Sequence, residues 1–381
     1  MRVRSGPAPR PPKSPRPDIH AFTGLRGIAA WAVVAYHIRA DLPFTAPLQH
    51  AFAHGEYAVD LFFVMSGYVL ALSYGPLFHR AAAPGDALRF LGYRLARIYP
   101  AHAVVLALYV LVPMAILATG RSLQPGRFEP GYLAASALLV QNWGLFDVIG
   151  WNVPAWSISA ELMFYLVFPL IIIATGRLHA APKPVTALAL AIPLVALAAL
   201  GHAAGQLTAG ITHAGPLRCL LECTLGTILL EAARIWRPRL PASTALTVAA
   251  IALAALFGTG LAPDYAVMPA AIFCLLWSLL EPRNPLGRVL ATPVLLWLGR
   301  VSFATYIVHY LIKDVVKLLL VGHIPALAAQ AAYFAAVLAA SALLHHLIER
   351  PGQRAGQRLT QALLARLPAS YRTPLRPEPS R

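Results

Sequence analysis

Arg26 and His37 stand eleven residues apart in an apolar run, Leu25-Arg-Gly-Ile-Ala-Ala-Trp-Ala-Val-Val-Ala-Tyr-His37. In an α-helix that spacing turns through roughly 1100°, about 20° past three full turns, and rises about 16 Å. The two side chains therefore share one face, one above the other. A charge at the centre of a bilayer costs at least ~2.5 kcal/mol, so an ionisable pair there marks a functional site by default. Histidine titrates near neutral pH and suits proton transfer, whereas an arginine stays charged and calls for an anionic partner. Two such groups about half a bilayer apart point to a track along which something long is held.

Two carboxylates are candidates to orient the His37 ring. Asp60 lies in Glu56-Tyr-Ala-Val-Asp-Leu-Phe-Phe-Val-Met-Ser-Gly-Tyr68, and Glu161 in Trp156-Ser-Ile-Ser-Ala-Glu-Leu-Met-Phe-Tyr165. A carboxylate bonded to one ring nitrogen fixes the tautomer and raises the basicity of the other. The plainer reading of Asp60 is polarity at a helix start. Ser66-Gly67 reads as close helix packing. Arg94 and Arg97, in Arg94-Leu-Ala-Arg-Ile-Tyr-Pro100, are one turn apart on a shared face. The pair suits a grip on phosphates. It equally suits anionic lipid or a plain topology signal, and spacing does not choose. In Ser302-Phe-Ala-Thr-Tyr-Ile-Val-His309, Tyr306 and His309 are one turn apart with Ser302 a further turn back, a pattern that fits core packing and a lined cavity equally well. His345-His346 reads as interfacial, and Cys219, Glu222 and Cys223 as packing around one polar contact. The three cysteines, Cys219, Cys223 and Cys274, all fall in apolar segments, so neither a disulfide framework nor a metal site is legible.

The elements that must position these groups are membrane spans. Hydrophobic residues make up 58% of the 381 positions and charged ones 12%, against ~25% charged in soluble proteins. The net charge of +16 does not point to nucleic acid, because the Lys and Arg sit in loops and tails between apolar runs. Apolar segments fall at about 22–41, 56–74, 101–119, 132–146, 155–175, 185–203, 215–233, 243–262, 265–281, 294–320 and 324–347, each compared with the ~20 residues a crossing helix needs. The positive-inside rule decides among them. If 132–146 crossed, the basic loops at Arg177/Lys183 and at Arg234/Arg237/Arg239 would land outside. If it does not, both land inside with Arg80, Arg89, Arg94, Arg97, Arg283, Arg288 and the tail carrying seven Arg from Arg350 on. Segment 132–146 is also the shortest and is broken by Gln141 and Asn142. The chain therefore reads as an all-α polytopic bundle of about ten transmembrane helices, with 132–154 an external or re-entrant loop. Both termini are cytoplasmic on this reading. Asp60 and Glu161 then enter their spans from the outside, near the depth of His37.

Residues 1–18, with five basic residues and six prolines, read as a disordered cytoplasmic tail rather than a signal peptide. Residues 19–350 form the membrane domain, and 351–381 a basic cytoplasmic tail too short for a second domain. No internal repeat is visible, and nothing in the pattern sets an oligomeric state. From residues alone, a transporter or flippase with a His/Arg/carboxylate relay stands level with an enzyme. A non-catalytic partner in a glycan-assembly complex is a third reading.

Over roughly residues 18–352 the chain resembles acyltransferase family 3, the polytopic bacterial membrane O-acyltransferases that modify envelope and secreted glycans. The family's basic residue, ten-residue gap and histidine match Arg26 and His37. Its Asp-x-Phe-Phe-x-x-Ser-Gly motif matches Asp60, Phe62, Phe63, Ser66 and Gly67, and its Arg-x-x-Arg-Ile-x-Pro motif matches Arg94 to Pro100. Its Trp-Ser-Leu-Ser-x-Glu motif matches Trp156 to Glu161 with Ile158 for Leu. Its late Ser-Tyr-x-x-Tyr-Leu-x-His pattern matches Ser302 to His309 with Phe303 for Tyr and Ile307 for Leu, and Ala58 stands where a glycine is common. The resemblance implies transfer of an acyl group from a cytoplasmic donor, acetyl-coenzyme A above all, to a sugar hydroxyl in the bacterial inner membrane, without a metal. Arg94 and Arg97, with Arg26 above them, would hold the anionic donor. Ser302, Tyr306 and His309 would line its path. His37 would take the acceptor's proton or carry the acyl group itself, and Glu161 or Asp60 would orient the ring.

Overall fold

The computed structural model describes residues 20–78, 84–236, 239–368 and 371. The expected tail 1–18 lies outside the described residues, as does 372–381. The chain begins with α1 (His20–Ile38), α2 (Ala46–Ala53), α3 (Ala58–Phe78), α4 (Pro84–Tyr109), α5 (Leu111–Ala118) and the short α6 (Pro130–Ala137). It continues through α7 (Trp156–Gly176), α8 (Lys183–Ala204), α9 (Gly215–Ile235), α10 (Leu240–Gly258) and α11 (Asp264–Ser278). The last elements are α12 (Pro285–Leu290), α13 (Pro293–Leu319), α14 (Ala326–Leu344) and α15 (Arg350–Arg366). Among the described residues there is no strand.

Eight stretches are long and apolar enough to cross a bilayer, and they contain α1, α3, α4, α7, α8, α10, α13 and α14. Helices α9 and α11 occupy the two other segments expected to cross. The first carries Arg218, Glu222, Glu231 and Arg234 within 21 residues, and the second has only 15 residues. Segment 132–146 forms no long helix. Helix α6 stops after 8 residues, and the chain folds back through Leu139 (φ 59°) and Trp151 (φ 49°), left-handed positions that bulky residues rarely hold. Polar side chains pin this loop. Gln141 donates to the Ala155 carbonyl at 3.0 Å, and Trp151 Nε1 donates to the Glu129 carbonyl at 2.8 Å. His102 of α4 donates through Nε2 to the Ser136 carbonyl at 2.8 Å, so the loop reaches the middle of that helix.

Helices α8 and α10 turn large apolar side chains outward, as a hydrocarbon solvent requires. Leu188, Ile192 and Val195 on α8 and Val248 and Ile251 on α10 are exposed. Prolines inside α3, α4, α7, α8 and α11 are tolerated where neighbouring helices and side chains satisfy the freed carbonyls. At the centre, α1 and α13 run parallel and touch backbone to backbone. A Cβ at Gly299 would lie 1.8 Å from the Thr23 carbonyl oxygen, so only glycine permits this approach. The α3–α9 crossing is as tight, with a Cβ at Gly67 1.9 Å from the Cys223 carbonyl oxygen. That agrees with the packing role read for Ser66-Gly67.

Beyond α14 the helix continues through a π-helical turn, His345–Glu349, into α15. This helix lies antiparallel along α4, with Gly356 against Ala96 and Gly352 against Pro100. The first half of the expected basic tail is therefore a packed helix, with Thr360 and Leu364 buried.

Candidate functional site

His37, the last residue but one of α1, meets His309 of α13, the Nδ1 of the first lying 3.2 Å from the Nε2 of the second. The parallel packing explains the meeting. A Cβ at Gly27 would touch Gly299 and Leu298, and ten residues further along each helix are His37 and His309. His37 Nδ1 is also 3.0 Å from the Val33 carbonyl, and His309 Nδ1 is 2.7 Å from the Tyr306 carbonyl and 3.3 Å from that of Thr305. His309 is fully buried and His37 partly exposed. The edges of Tyr36 and Tyr310 flank the His37 ring at centroid distances of 5.0 and 5.1 Å. One turn beyond His309, Lys313 lies 3.9 Å above the Tyr310 ring and 3.6 Å from Asp41.

From this histidine end a line of polar groups runs down one face of α7, where Ser157, Glu161 and Tyr165 recur every four residues over about 12 Å. Ser157 Oγ is 2.8 Å from Tyr306 Oη, and Tyr306 Oη donates to the Pro154 carbonyl at 3.1 Å. Asn152 donates to the Ile307 carbonyl at 2.9 Å, so the folded-back loop is fastened to α13 beside the histidines. Ser66 Oγ donates to Glu161. Arg94 donates to Tyr165 Oη at 3.3 Å.

The line ends in a cluster of charge. Arg97 pairs with the buried Glu349 and lies 3.4 Å from Gln353 Oε1, and Glu349 accepts from His345 Nδ1 at 2.9 Å. Arg26 lies within electrostatic reach of Arg94, Arg97, Glu161 and Glu349. Arg94 Nε is buried without a hydrogen-bond partner. Three guanidinium groups, which stay protonated, thus share this cluster with the carboxylates of Glu161 and Glu349, a net positive balance among the described residues. Such an arrangement can take an anion.

The structure differs from expectation on the carboxylates. Among the described residues, neither Asp60 nor Glu161 is bonded to the His37 ring, whose partners are the Val33 carbonyl and His309. Asp60 is wholly buried, 3.3 Å from Arg218, beside Glu222, and Arg218 also donates to the Leu207 carbonyl at 2.8 Å. A cation that is itself buried claims Asp60, because an unpaired charge at that depth is costly. Glu161 faces Ser66 and the arginines instead, because it lies one turn further down α7 than the residue level with Tyr306. The side chain that meets the His37 ring is His309 instead. Of the residues expected to line a donor path, Ser302 is buried and donates to the Gly299 carbonyl at 2.8 Å, while Tyr306 and His309 are buried among protein partners. Of the pair read as interfacial, His345 is buried and bonded to Glu349, and only His346 is exposed. Sequence reasoning missed Arg218, Tyr165 and Glu349. The i, i+4 spacing of Ser157, Glu161 and Tyr165 was the one signal that could have found a polar face on α7. Among the described residues no group of three or more His, Cys, Asp or Glu side chains is placed to hold a metal ion.

Comparison with known proteins adds a family. The acyltransferase-domain profile matches residues 19–346. Acyltransferase MdmB of Streptomyces mycarofaciens is 30% identical over 90% of this chain and 93% of its own length. A protein of Komagataeibacter xylinus assigned as the membrane-bound transacylase BcsY is 28% identical over 90% of this chain and 84% of its own. A Bacillus subtilis protein assigned as the peptidoglycan O-acetyltransferase YrhL is 25% identical over 77% of this chain and 48% of its own. No solved structure matches the chain significantly.

Proposed function

This chain belongs to the acyltransferase family matched over residues 19–346, and from that premise we propose that it carries an acetyl group from cytoplasmic acetyl-coenzyme A to a sugar hydroxyl of an envelope or secreted glycan. It is a multi-pass membrane O-acyltransferase; the donor, the acceptor and the sidedness are what we add. The relative assigned as a peptidoglycan O-acetyltransferase supports acetyl as the group and a polymeric glycan as the acceptor.

The observation that carries this reading is the line of polar groups joining an anion-demanding cluster to a histidine pair. Coenzyme A is long, anionic at one end and reactive at the other. Arg26 and Arg94 hold the anionic end, with Arg97 available where Glu349 yields it. The thioester extends along the face of Tyr165, Glu161 and Ser157 towards His37. There the acceptor hydroxyl attacks the thioester carbonyl while His37 takes its proton. The new C–O bond forms, the C–S bond breaks, and the proton passes from His37 to the departing thiolate. The rings of Tyr36 and Tyr310 offer the apolar faces and edges against which a sugar ring packs.

In this reading the arginine end faces the cytoplasm of a bacterial inner membrane. Ten helices cross, α9 and α11 among them, and both termini lie inside. Single cysteines at the exposed positions Ser122, Ala180 and Ala242, with Cys219, Cys223 and Cys274 replaced, test the sidedness. A membrane-impermeant thiol reagent on intact cells labels position 122 alone; labelling at 180 overturns the topology. The chemistry is tested with purified protein in proteoliposomes and radiolabelled acetyl-coenzyme A, together with mass spectrometry of glycan acetyl groups in wild-type and deletion cells. Thioester consumption and acetyl loss on deletion are expected. Ligand flux without thioester cleavage returns the reading to a transporter.

A further inference from the structure

Carbonyl oxygens only accept hydrogen bonds, and that fact fixes the protons in the histidine pair. His309 Nδ1 lies 2.7 Å from the Tyr306 carbonyl, so it carries a proton and donates. In the neutral ring its Nε2 is then a lone pair, aimed at His37 Nδ1 3.2 Å away. His37 Nδ1 must therefore carry a proton, and the Val33 carbonyl at 3.0 Å demands the same. The opposite arrangement, with His309 donating from Nε2, would set a lone pair on His37 Nδ1 against the Val33 oxygen. It would also put an imidazolium in a fully buried position with no carboxylate bonded to it. Two acceptors from two helices thus agree on one tautomer.

We propose that His309 is a positioning residue that locks the neutral His37 ring as its Nδ1–H tautomer, leaving the lone pair on Nε2 to receive the acceptor's proton. This rests on the reading of His37 as the proton acceptor in acyl transfer. When His37 Nε2 takes the proton, the charge formed is shared by an N–H that already points at two acceptors, His309 Nε2 and the Val33 carbonyl. The work usually given to a carboxylate beside a catalytic histidine is here divided between a second histidine and a main-chain oxygen. A neutral acceptor stabilises an imidazolium less than a carboxylate would, and it needs no counterion of its own at this depth.

The test uses the full-length protein in lipid nanodiscs, with acetyl-coenzyme A as donor and water as acceptor, and nitrogen-15 spectra of histidine-labelled protein assigned by difference against His37→Gln. Wild-type protein shows His37 neutral with the proton on Nδ1. His309→Ala mixes the two tautomers and lowers kcat about 10²-fold while the donor KM stays put. His309→Gln, whose amide oxygen reaches about as far as the imidazole Nε2, recovers activity to within about tenfold of wild type. A proton on His37 Nε2 in the wild type overturns the proposal. So does an unchanged kcat in His309→Ala, or equal loss in the Ala and Gln variants, which marks a packing role. If wild-type protein cleaves no acetyl-coenzyme A, the acyl-transfer reading fails, and the nitrogen spectrum still decides the tautomer.

Discussion

The two ends of the polar line are built on opposite electrostatic plans. At the histidine end two imidazoles meet at a 5.0 Å centroid distance, enclosed by tyrosine edges and bonded to main-chain oxygens. At the arginine end three guanidinium groups face Glu161 and Glu349. A neutral pair can move a proton without relocating a permanent charge, whereas fixed cations hold an anion and change nothing in it. The difference separates chemistry from grip, and variants at the two ends should separate the same way.

The largest effect belongs to the histidine end. His37→Ala is expected to lower acyl transfer by ~10²–10⁴-fold with membrane insertion intact, measured as acetyl release by variant protein extracted at wild-type level. Near-normal turnover would remove His37 from the chemistry.

A second variant asks whether the Asp60 cluster belongs to either end. Arg218→Ala leaves Asp60 and Glu222 buried without their cation, a loss of ~3–5 kcal/mol. The expected outcome is a fall in folded protein after extraction, seen by thermal unfolding in detergent. An Arg218→Ala protein of wild-type stability but lost turnover would put the cluster back in the active site.

At the arginine end, Arg94→Ala is expected to raise the donor KM about ten- to hundredfold with little change in the acceptor KM, the loss of a charge-assisted bond of ~1.5–3 kcal/mol. Arg97→Ala should act more on stability, because Glu349 is already its partner. Equal effects of Arg94→Ala on both substrates would return that residue to the lipid or topology reading. The smallest change is Lys317→Ala. Lys317 is half-exposed in its pair with Asp41, so under ~1 kcal/mol of stability is expected to go and donor kinetics should not move. A large kinetic effect there would extend the histidine end to the rim.

How much of this was legible in the sequence depended on whether one helix carried the information. The shared face of Arg26 and His37 follows from the helical repeat alone, and so does the one-turn spacing of Tyr306 and His309. Charge parity set aside the 132–146 segment, and the fold-back there agrees. Position along a helix could be read, because it follows from spacing in the sequence. Azimuth could not. Asp60 and Glu161 start their spans near the level of His37, yet Asp60 turns to Arg218 and Glu161 to Ser66, since facing is fixed by packing between helices far apart in sequence. The His37–His309 contact depends on where two glycine-mediated backbones touch, and Glu349 reaches Arg97 from the π-helical turn that leads into α15, 252 residues further along the chain.

The contact at Gly299 has a mechanical consequence. Helices α1 and α13 meet backbone to backbone there, and the two imidazoles sit ten residues further along. That contact is a fulcrum, and the imidazoles ride on lever arms of about 15 Å. Each degree of rocking about it displaces one ring relative to the other by about 0.26 Å over a 15 Å arm. A methyl group added at Gly299 would therefore act at a distance, spreading the helices where no substrate is held and pulling apart a hydrogen bond that tolerates only a few tenths of an ångström. The site's precision is set at its pivot.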